Sequence, residues 1–243
     1  MICPFPIQLR QGEVPCGKCA NCLINRRREK TARILLEQRA WERAGLPDSC
    51  MVITLTYENE HLPYTGPEDP QEWSFEEVRK GNQRVPRPTL VKKHLQKYIK
   101  RVRKRFPARA INYVGVGEYG ELRGRPHYHL VMFGVGPDDE AVLRQCWPFG
   151  ERFQMDPLIP ERAAYVAGYT LKKLNPEKKD ENLAPAAPEF SHWSLKPAIG
   201  KRYVPYLVDS LEQYPEVVRD FADVTFEVRL GGKKWPIDRN MRQ

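Results

Sequence analysis

The clearest periodic patterns in this chain are short segments with the composition of β-strands. Met51 to Tyr57, Ile111 to Gly117 and His127 to Phe133 are rich in β-branched and aromatic residues, which predicts strands. The residues from Phe153 to Leu158 are a shorter candidate. Because a glycine-rich turn separates the second run from the third, we expect these two strands to pair as an antiparallel hairpin.

A second pattern, with apolar residues every three or four positions, predicts helices. It is strongest from Leu90 to Phe106, where one face is apolar, the other is almost entirely Lys and Arg, and Pro107 ends the helix. Residues 26–44 and 161–174 have the same spacing, and residues 137–146 begin with a proline typical of a helix start.

These patterns divide the chain into three parts. Residues 1–25 form a cysteine-rich arm, residues 26–174 carry the predicted strands and helices, and residues 175–243 form a C-terminal extension whose architecture the patterns do not predict. Residues 58–88 are polar and rich in Pro and Gly, which predicts a long loop or insertion near the functional site, with a disordered excursion as the alternative. Residues 175–190 have the composition of a linker or surface loop.

The net charge of +9 narrows the class of partner. Lys and Arg are clustered rather than dispersed, and such clustering favours a polyanion, above all nucleic acid, over general solubility or an acidic membrane surface. The basic face of the 90–106 helix is interpreted either as a solvated face or as a contact to the DNA backbone. The candidate DNA-binding residues are Lys93, Lys97, Lys100, Arg101, Lys104 and Arg125.

The cysteines predict a metal site in the arm. No apolar run is long enough to span a membrane, and the N-terminal segment lacks the features of a signal peptide, so we expect a cytoplasmic protein with reduced thiols. Cys3, Cys16, Cys19 and Cys22 supply four thiolates, enough for a structural Zn²⁺. An iron–sulfur cluster or free thiols are the alternatives. The two remaining cysteines, at positions 50 and 146, are expected to be buried structural residues.

Two histidines on one predicted strand indicate a second metal site. Side chains alternate along a strand, so His127 and His129 point to the same side of the sheet. The hairpin would bring Glu118 beside them, and two imidazoles with one carboxylate suit a catalytic divalent metal. The alternatives are that Glu118 only caps the hairpin, with Glu121 as the substitute ligand, or that the histidines lie on an ordinary polar face.

The 161–174 helix places chemistry-bearing residues on one side. Tyr165, Tyr169 and either Lys172 or Lys173 fall one helical turn apart, next to an apolar stripe that can pack on a sheet. A tyrosine hydroxyl near a metal-bound phosphate is a potential nucleophile, and a neighbouring lysine can stabilise the developing charge. An amphipathic helix with two core tyrosines is the alternative interpretation.

Together these motifs resemble those of the HUH endonucleases. More narrowly, the chain resembles the rolling-circle replication initiation proteins of single-stranded DNA microviruses, especially the gokushovirus branch. Gly168 departs from the basic residue often found before the second tyrosine of that family. The matching motifs are Pro15 to Cys22, Ile53 to Tyr57, Arg125 to His129, Tyr165 to Lys173 and Trp193 to Gly200.

The resemblance implies a fold, a reaction and partners. The fold is α+β, with a central antiparallel sheet and flanking helices in addition to the Cys-rich arm. The reaction is metal-dependent nicking of single-stranded origin DNA, with Mg²⁺ or Mn²⁺ on His127, His129 and Glu118. Tyr169 would attack to give a 5′-phosphotyrosine and a free 3′-OH that host polymerase extends, with a host helicase as a further partner. Tyr165 would act in the later cleavage and strand joining.

Three other functions remain open at this point. A relaxase or transposase would use the same chemistry on another DNA end. A non-catalytic, zinc-stabilised DNA-binding regulator would rely on the arm and the basic helices alone. A hydrolytic zinc enzyme would use the Glu118, His127 and His129 cluster without forming a covalent adduct.

Overall fold

The computed structural model of the protein describes residues 2–65, 85–120, 124–169, 186–213, 227–237 and 241. The described strands are β1 (Ile7–Leu9), β2 (Gly12–Val14), β3 (Cys50–Thr56), β4 (Asn112–Tyr119), β5 (Pro126–Phe133), β6 (Phe153–Pro157), β7 (Phe190–Trp193), β8 (Glu227–Leu230) and β9 (Lys233–Pro236). The described helices are α1 (Ala20–Arg43), α2 (Lys92–Arg105), α3 (Glu140–Gln145), α4 (Pro160–Tyr169) and α5 (Val204–Glu212).

Five of these strands form one antiparallel sheet in the order β6–β3–β5–β4–β7. The central strand β5 is buried along nearly its whole length because helices cover both faces of the sheet. This double coverage explains why Leu130, Val131, Met132 and Phe133 form a continuous apolar run rather than an alternating one. The fold is therefore α+β with a central antiparallel sheet, as the resemblance implied.

Helices α2 and α3 cover the first face of the sheet. Leu95, Ile99 and Val102 of α2 pack with Ile53 and Leu130 in one buried cluster. The lysines and arginines of α2 lie mostly on its exposed side, so burial of the apolar face fixes the helix on the sheet.

Helices α1 and α4 cover the second face. Ile34 and Leu35 of α1 and Val166 of α4 pack with Val131 and Phe133 of β5. Val131 and Phe133 alternate along β5 with the residues that face α2, so the two faces of this strand serve two separate cores. The second face is also the one to which His127 and His129 belong.

A buried carboxylate joins α1 to the segment that follows β7. Glu37 is fully buried, and its Oε2 accepts a hydrogen bond of 2.7 Å from the Gly200 backbone N–H. Its Oε1 lies 3.1 Å from Nε of Arg202. Burial raises the pKa of Glu37, although the Gly200 N–H and Arg202 oppose that rise. The chain beyond the sheet is thus attached to α1 by a polar contact as well as by apolar packing.

The strand and helix predictions in the middle of the chain are confirmed to within a few residues. Helix α1 begins at Ala20 rather than near residue 26, because the Cys19 side chain accepts the N–H of Cys22 and caps the helix earlier. The 137–146 prediction is confirmed as a 3₁₀ turn that continues into α3. For the 161–174 prediction, α4 is described to Tyr169, and positions 170–174 lie outside the described residues.

The sequence did not anticipate strand β7, which pairs with β4 as an edge of the sheet. The sheet therefore extends beyond residue 174. Phe190 of β7 approaches β4 at Gly117, where a Cβ atom would lie only 2.7 Å from the Phe190 ring, so the contact requires glycine. The hairpin β1–β2, helix α5 and the hairpin β8–β9 were also not predicted. Of the predicted loop at 58–88, positions 66–84 lie outside the described residues.

Candidate metal centre and tyrosine pair

The register of the β4–β5 hairpin places one carboxylate opposite the histidine pair. Glu118 lies directly across from His127, and Val116 lies across from His129. Since side chains alternate along both strands, Glu118 and the two histidines share the face covered by α1 and α4. Glu118 and His129 are buried, whereas His127 is partly exposed, so the cluster lies at the edge of the core.

Both imidazoles converge on one oxygen of that carboxylate. Nε2 of His127 lies 2.6 Å and Nε2 of His129 lies 3.0 Å from Oε1 of Glu118. The second oxygen, Oε2, is buried and has no hydrogen-bond partner among the residues that the structure describes. An unpaired buried carboxylate oxygen is costly, and a cation among these three side chains would satisfy it. Two imidazoles and a carboxylate therefore fit a divalent ion with open coordination positions.

Outer partners orient the two rings. Nδ1 of His127 lies 3.1 Å from the backbone carbonyl oxygen of Arg125, which can only accept, so this Nδ1 carries a proton and Nε2 is left as the ligand atom. Nδ1 of His129 lies 3.0 Å from Oγ1 of Thr54, which is paired with His129 in the β3–β5 register. Both imidazoles are thus held with Nε2 directed at Glu118.

The charges of the cluster support each other against burial. Burial alone would raise the pKa of Glu118, but the hydrogen bonds with His127 and His129 hold that pKa below its usual value. Burial would likewise lower the pKa of His127, yet the bonds with Glu118 and the Arg125 carbonyl hold it above its usual value. Glu118 is therefore a stable anion at the point where a cation would bind.

Helix α4 brings both tyrosines against His129. The ring of Tyr169 stacks on the His129 imidazole at a centroid distance of 5.6 Å, and the ring of Tyr165 meets it edge-on at 5.4 Å. The hydroxyl of Tyr169 donates a hydrogen bond of 2.5 Å to the hydroxyl of Tyr165. Tyr165 is 47% exposed, so the hydroxyl pair is accessible from solvent while its rings contact the metal-site histidine.

Some predicted site residues cannot be located. Lys172 and Lys173, predicted to follow the tyrosines, lie outside the described residues. The same holds for Glu121, the substitute ligand. The structure brings together Glu118, His127, His129, Tyr165 and Tyr169, the five residues named for catalysis and metal binding that it describes.

The basic residues of α2 lie away from the histidines. This helix packs on the first face of the sheet, whereas the histidines and tyrosines belong to the second. Lys93, Lys97, Lys100 and Lys104 are exposed on its outer side. Arg101 instead donates to the backbone oxygen of Cys146, which ties α2 to the end of α3.

Arg125 also has partners within the protein. Its Nη1 donates to Oδ1 of Asn59 at 2.8 Å, and its Nη2 donates to the backbone oxygen of Tyr57. The guanidinium therefore fixes the loop after β3 against the start of β5. The fork that was assigned to DNA is used, at least in part, to hold the end of the sheet that carries the metal centre.

The arm gathers its four cysteines into one cluster. The Sγ atoms of Cys3, Cys16, Cys19 and Cys22 all lie within 4.8 Å of one another. Sγ separations of 3.8 Å for Cys3–Cys19 and 3.9 Å for Cys16–Cys22 are too long for disulfides. They match the roughly 3.8 Å edge of a tetrahedron with metal–sulfur bonds of about 2.3 Å.

Backbone N–H groups surround the sulfur atoms of this cluster. The N–H of Cys16 donates to Sγ of Cys3, that of Cys19 to Sγ of Cys16, and that of Cys22 to Sγ of Cys19. Hydrogen bonds from the Lys18 and Cys19 backbone lower the pKa of the Cys16 thiol to about 6. The loop is therefore arranged to stabilise thiolates, the form in which cysteine binds metal.

Sequence reasoning missed Thr54 as a partner of the site. The shared face of Thr54 and Thr56 was visible in the strand pattern, but the contact with His129 depends on the β3–β5 register. Had β3 been predicted to pair with β5, the position of Thr54 opposite His129 would have been the signal.

These features define a class of protein. It is an α+β chain in which a Glu–His–His cluster and two tyrosines meet on one face of an antiparallel sheet. Residues 50–174, the range that contains all five of these side chains, match the family model of the replication-associated protein ORF2. The chain belongs to this family.

Phage proteins are among its relatives. Replication-associated protein VP4 of Bdellovibrio phage phiMH2K is 29% identical over 207 residues, 78% of this chain and 57% of the relative. Replication-associated protein ORF2 of Spiroplasma virus 4 is 30% identical over 208 residues, 78% of this chain and 56% of the relative. Replication-associated protein ORF4 of Chlamydia phage 1 is 27% identical over 179 residues, 66% of this chain and 38% of the relative.

The chain thus spans little more than half the length of the first two of these relatives. It is a microvirus-like replication-associated protein. No solved structure matches it. In the part of the chain that the structure describes, no helix combines the length and the apolar character needed to cross a membrane.

Proposed function

We propose that this protein initiates rolling-circle replication by nicking single-stranded DNA at a specific origin. The observation that supports the proposal best is the position of two hydrogen-bonded tyrosine hydroxyls beside a Glu–His–His cluster on the same face of the sheet. Either feature alone occurs in proteins without catalysis. Their contact through His129 supplies both a nucleophile and a metal centre at one place.

The metal would be Mg²⁺ or Mn²⁺, held by Nε2 of His127, Nε2 of His129 and the Glu118 carboxylate. The unpaired buried Oε2 of Glu118 supports an ion there. A divalent ion at this position supplies Lewis acidity to a phosphodiester oxygen. The chain itself fixes both imidazoles through the Arg125 carbonyl and Thr54, so the ligand atoms need little reorganisation when an ion binds.

Tyr169 is the proposed first nucleophile. Its oxygen attacks phosphorus, the bond from phosphorus to the 3′ oxygen breaks, and that oxygen takes up a proton. The products are a 5′-phosphotyrosine and a free 3′-OH. Since the Tyr169 hydroxyl donates its hydrogen to Tyr165, the Tyr165 oxygen is the first acceptor on the path of the departing proton. Stacking on His129 holds the Tyr169 ring beside the metal centre.

Tyr165 is proposed to act in the second cleavage. It lies one helical turn from Tyr169, is open to solvent, and contacts the same imidazole. A second attack there, followed by return of a 3′-OH to the phosphotyrosine, would join the ends of the product strand. Lys172 or Lys173 would steady the phosphate during these steps.

The cysteine cluster is proposed to hold a structural Zn²⁺. Four sulfurs within 4.8 Å of one another suit a single tetrahedral ion. In an iron–sulfur cluster of the four-iron type each cysteine binds a different iron, which keeps the sulfurs farther apart. Because α1 begins directly after Cys19, the ion would fix the start of the helix that packs beside α4.

DNA and the host machinery are the proposed partners. A strand held at the tyrosines would also reach the exposed lysines of α2 only by passing around the end of the sheet. The start of α2 lies at that end, since the N–H groups of Leu90 and Val91 donate to the Tyr119 and Tyr128 hydroxyls. Host polymerase would extend the free 3′-OH and a host helicase would open the duplex, both in the bacterial cytoplasm.

A covalent-capture experiment tests the proposal. Purified protein is mixed with Mn²⁺ and single-stranded oligonucleotides that tile both strands of the encoding genome, each labelled at its 3′ end. Denaturing gels are read for a labelled band at the mass of protein plus DNA. We expect one or a few adjacent oligonucleotides to give this band, with loss in His127→Ala and in the Tyr165→Phe/Tyr169→Phe double variant.

The other outcomes distinguish the remaining functions. Cleavage without a covalent band, unaffected by the double tyrosine variant, would identify a hydrolytic enzyme instead. Tight DNA binding with neither cleavage nor adduct would identify a non-catalytic regulator. Adduct formation at a transfer or transposon end, rather than at a replication origin, would indicate a relaxase or transposase.

A further inference from the structure

An arginine from α1 lies against the tyrosine helix at the two positions that precede the tyrosines. Nε of Arg27 donates a hydrogen bond of 3.0 Å to the backbone oxygen of Ala164. A Cβ atom on Gly168 would lie 3.3 Å from Nε, 3.4 Å from Cζ and 3.7 Å from Nη2 of the same guanidinium. Ala164 directly precedes Tyr165, and Gly168 directly precedes Tyr169.

The contact leaves the outer end of the guanidinium open. Only Nε is used by the bond to Ala164, and within the described part of the chain the Nη atoms of Arg27 have no hydrogen-bond partner. Arg27 is also exposed. A fixed guanidinium with free Nη–H groups presents a planar fork that matches two oxygens of a phosphate.

The neighbouring arginines are directed elsewhere. Successive residues of a helix are about 100° apart, so Arg26, Arg27 and Arg28 point in three directions. Arg26 lies by Gly17 of the cysteine arm, and Nη2 of Arg28 donates to the backbone oxygen of Lys234. Arg27 alone of the three reaches α4. The cluster read from the sequence as a general basic patch therefore separates into one residue at the tyrosines and two at other elements.

Gly168 provides the space for this approach. A Cβ at 3.3 Å from Nε is closer than ordinary van der Waals contact, so any side chain at position 168 would displace the guanidinium. The missing basic residue before Tyr169 and the presence of Arg27 are thus two sides of one arrangement: the positive charge beside Tyr169 comes from α1 instead of from α4.

We propose that Arg27 is a catalytic residue whose guanidinium binds a non-bridging oxygen of the phosphate transferred to Tyr169. The proposal rests on the proposed nicking function. Arg27 would neutralise charge on the phosphate as the tyrosine oxygen attacks, and the bond to Ala164 would hold the guanidinium in place beforehand.

Single-turnover rates of covalent adduct formation test this role in the full-length chain. The variants are Arg27→Gln, Arg27→Lys and Gly168→Ala, with Arg28→Gln as the matched control for loss of one charge. Removal of one charge-stabilising donor lowers a rate by roughly 100-fold, so we expect that loss for Arg27→Gln. Arg27→Lys retains the charge without the fork, and Gly168→Ala shifts the fork, so each should fall about tenfold. Arg28→Gln should stay within about twofold.

A neutral substrate separates catalysis from a structural tether. In a methylphosphonate substrate, one non-bridging oxygen at the cleaved position is replaced by a methyl group, in either of two stereoisomers. If Arg27 binds one of these oxygens, wild type and Arg27→Gln should react at rates within about threefold of each other for one stereoisomer. A tether would slow Arg27→Gln equally with the natural phosphate and with both isomers.

Three results would overturn the proposal. In the first, Arg27→Gln forms the adduct within about threefold of wild type, which leaves nicking intact and removes Arg27 from it. In the second, Arg27→Lys and Arg27→Gln lose the same activity in proportion to a lowered melting temperature. In the third, the wild-type chain forms no adduct, which rejects the nicking function itself.

Discussion

The ring of Tyr169 stacks on the imidazole of His129 with their planes 18° apart. The same imidazole directs Nε2 at Glu118 and has Thr54 at Nδ1. One histidine thus contacts the proposed nucleophile, the proposed metal site and a residue of the neighbouring strand. The position of the nucleophile relative to the metal is fixed through a single side chain.

The contact at Thr54 predicts an effect on metal affinity. Replacing Thr54 by Val removes the oxygen at Nδ1 of His129 while keeping the shape of the side chain. Loss of such an outer partner typically lowers metal affinity about 10- to 100-fold, and we expect that range for Mn²⁺ measured by calorimetry.

Thr56 provides the matched control on the same strand. Its Oγ1 donates to the backbone oxygen of Arg152, which lies apart from the histidines. Thr56→Val should therefore leave Mn²⁺ affinity within about twofold of wild type. Equal losses in the two variants would mean that Thr54 acts only through the general stability of β3.

The coupled charges of the cluster predict a pH dependence of metal binding. The raised pKa of His127 means that this imidazole is protonated up to a higher pH than usual, and the metal must displace that proton. Apparent Mn²⁺ affinity should fall by about tenfold for each pH unit below the raised pKa. Titrations between about pH 5.5 and 8 test this. An affinity that does not change across that range would contradict the assignment of His127 as a ligand.

The same shifts predict how the metal-free protein responds to pH. The raised pKa of His127 contributes stability that is fully present below the ordinary pKa of about 6.5 and is lost as the pH rises through the raised value. The lowered pKa of Glu118 contributes stability that is lost as the pH falls through its value. The difference in unfolding free energy between wild type and Glu118→Gln should therefore be largest in the mildly acidic range between the two. Urea titrations in the presence of chelator measure it.

The cysteine cluster predicts bound zinc. We expect about one zinc per chain by elemental analysis, and loss of most of it in Cys16→Ser, together with a lowered melting temperature. Cys50 is buried in the core away from the arm, so Cys50→Ala should destabilise the sheet but retain the zinc. Equal zinc content in wild type and Cys16→Ser would refute a zinc site in the arm.

The buried carboxylate of Glu37 predicts a large stability effect. Glu37→Ala leaves the Gly200 N–H and the Arg202 guanidinium without their acceptor, which should cost about 3 kcal/mol of unfolding free energy. Urea denaturation measures the loss. Glu42→Ala removes a carboxylate from the same helix that pairs with Arg39 at the surface, and it should cost no more than about 1 kcal/mol.

Local patterns were sufficient to predict the elements that carry the site. Strand alternation placed His127 and His129 on one face, and a tight hairpin implied that Glu118 returns beside them. The spacing of Tyr165 and Tyr169 depends only on helical geometry. In each case the information lies within a few residues of sequence, so a pattern can carry it.

The missed features depend on contacts between distant segments. β7 has only four residues and mixed polarity, and it becomes a strand because the edge of β4 is available. The contact between Arg27 and Ala164 joins positions 137 residues apart. The face of the sheet that α2 covers could not be predicted either, because β3 and β5 are apolar on both sides.

Direct identification of a nucleotide on tyrosine tests the central claim. Protein reacted with Mn²⁺ and its cognate single-stranded DNA is treated with nuclease and protease, and the peptides are sequenced by mass spectrometry. The account predicts a nucleotide joined through its 5′ phosphate to Tyr169, with transfer to Tyr165 in the Tyr169→Phe variant. Cleaved DNA that carries only free ends, with both tyrosines unmodified, would contradict it.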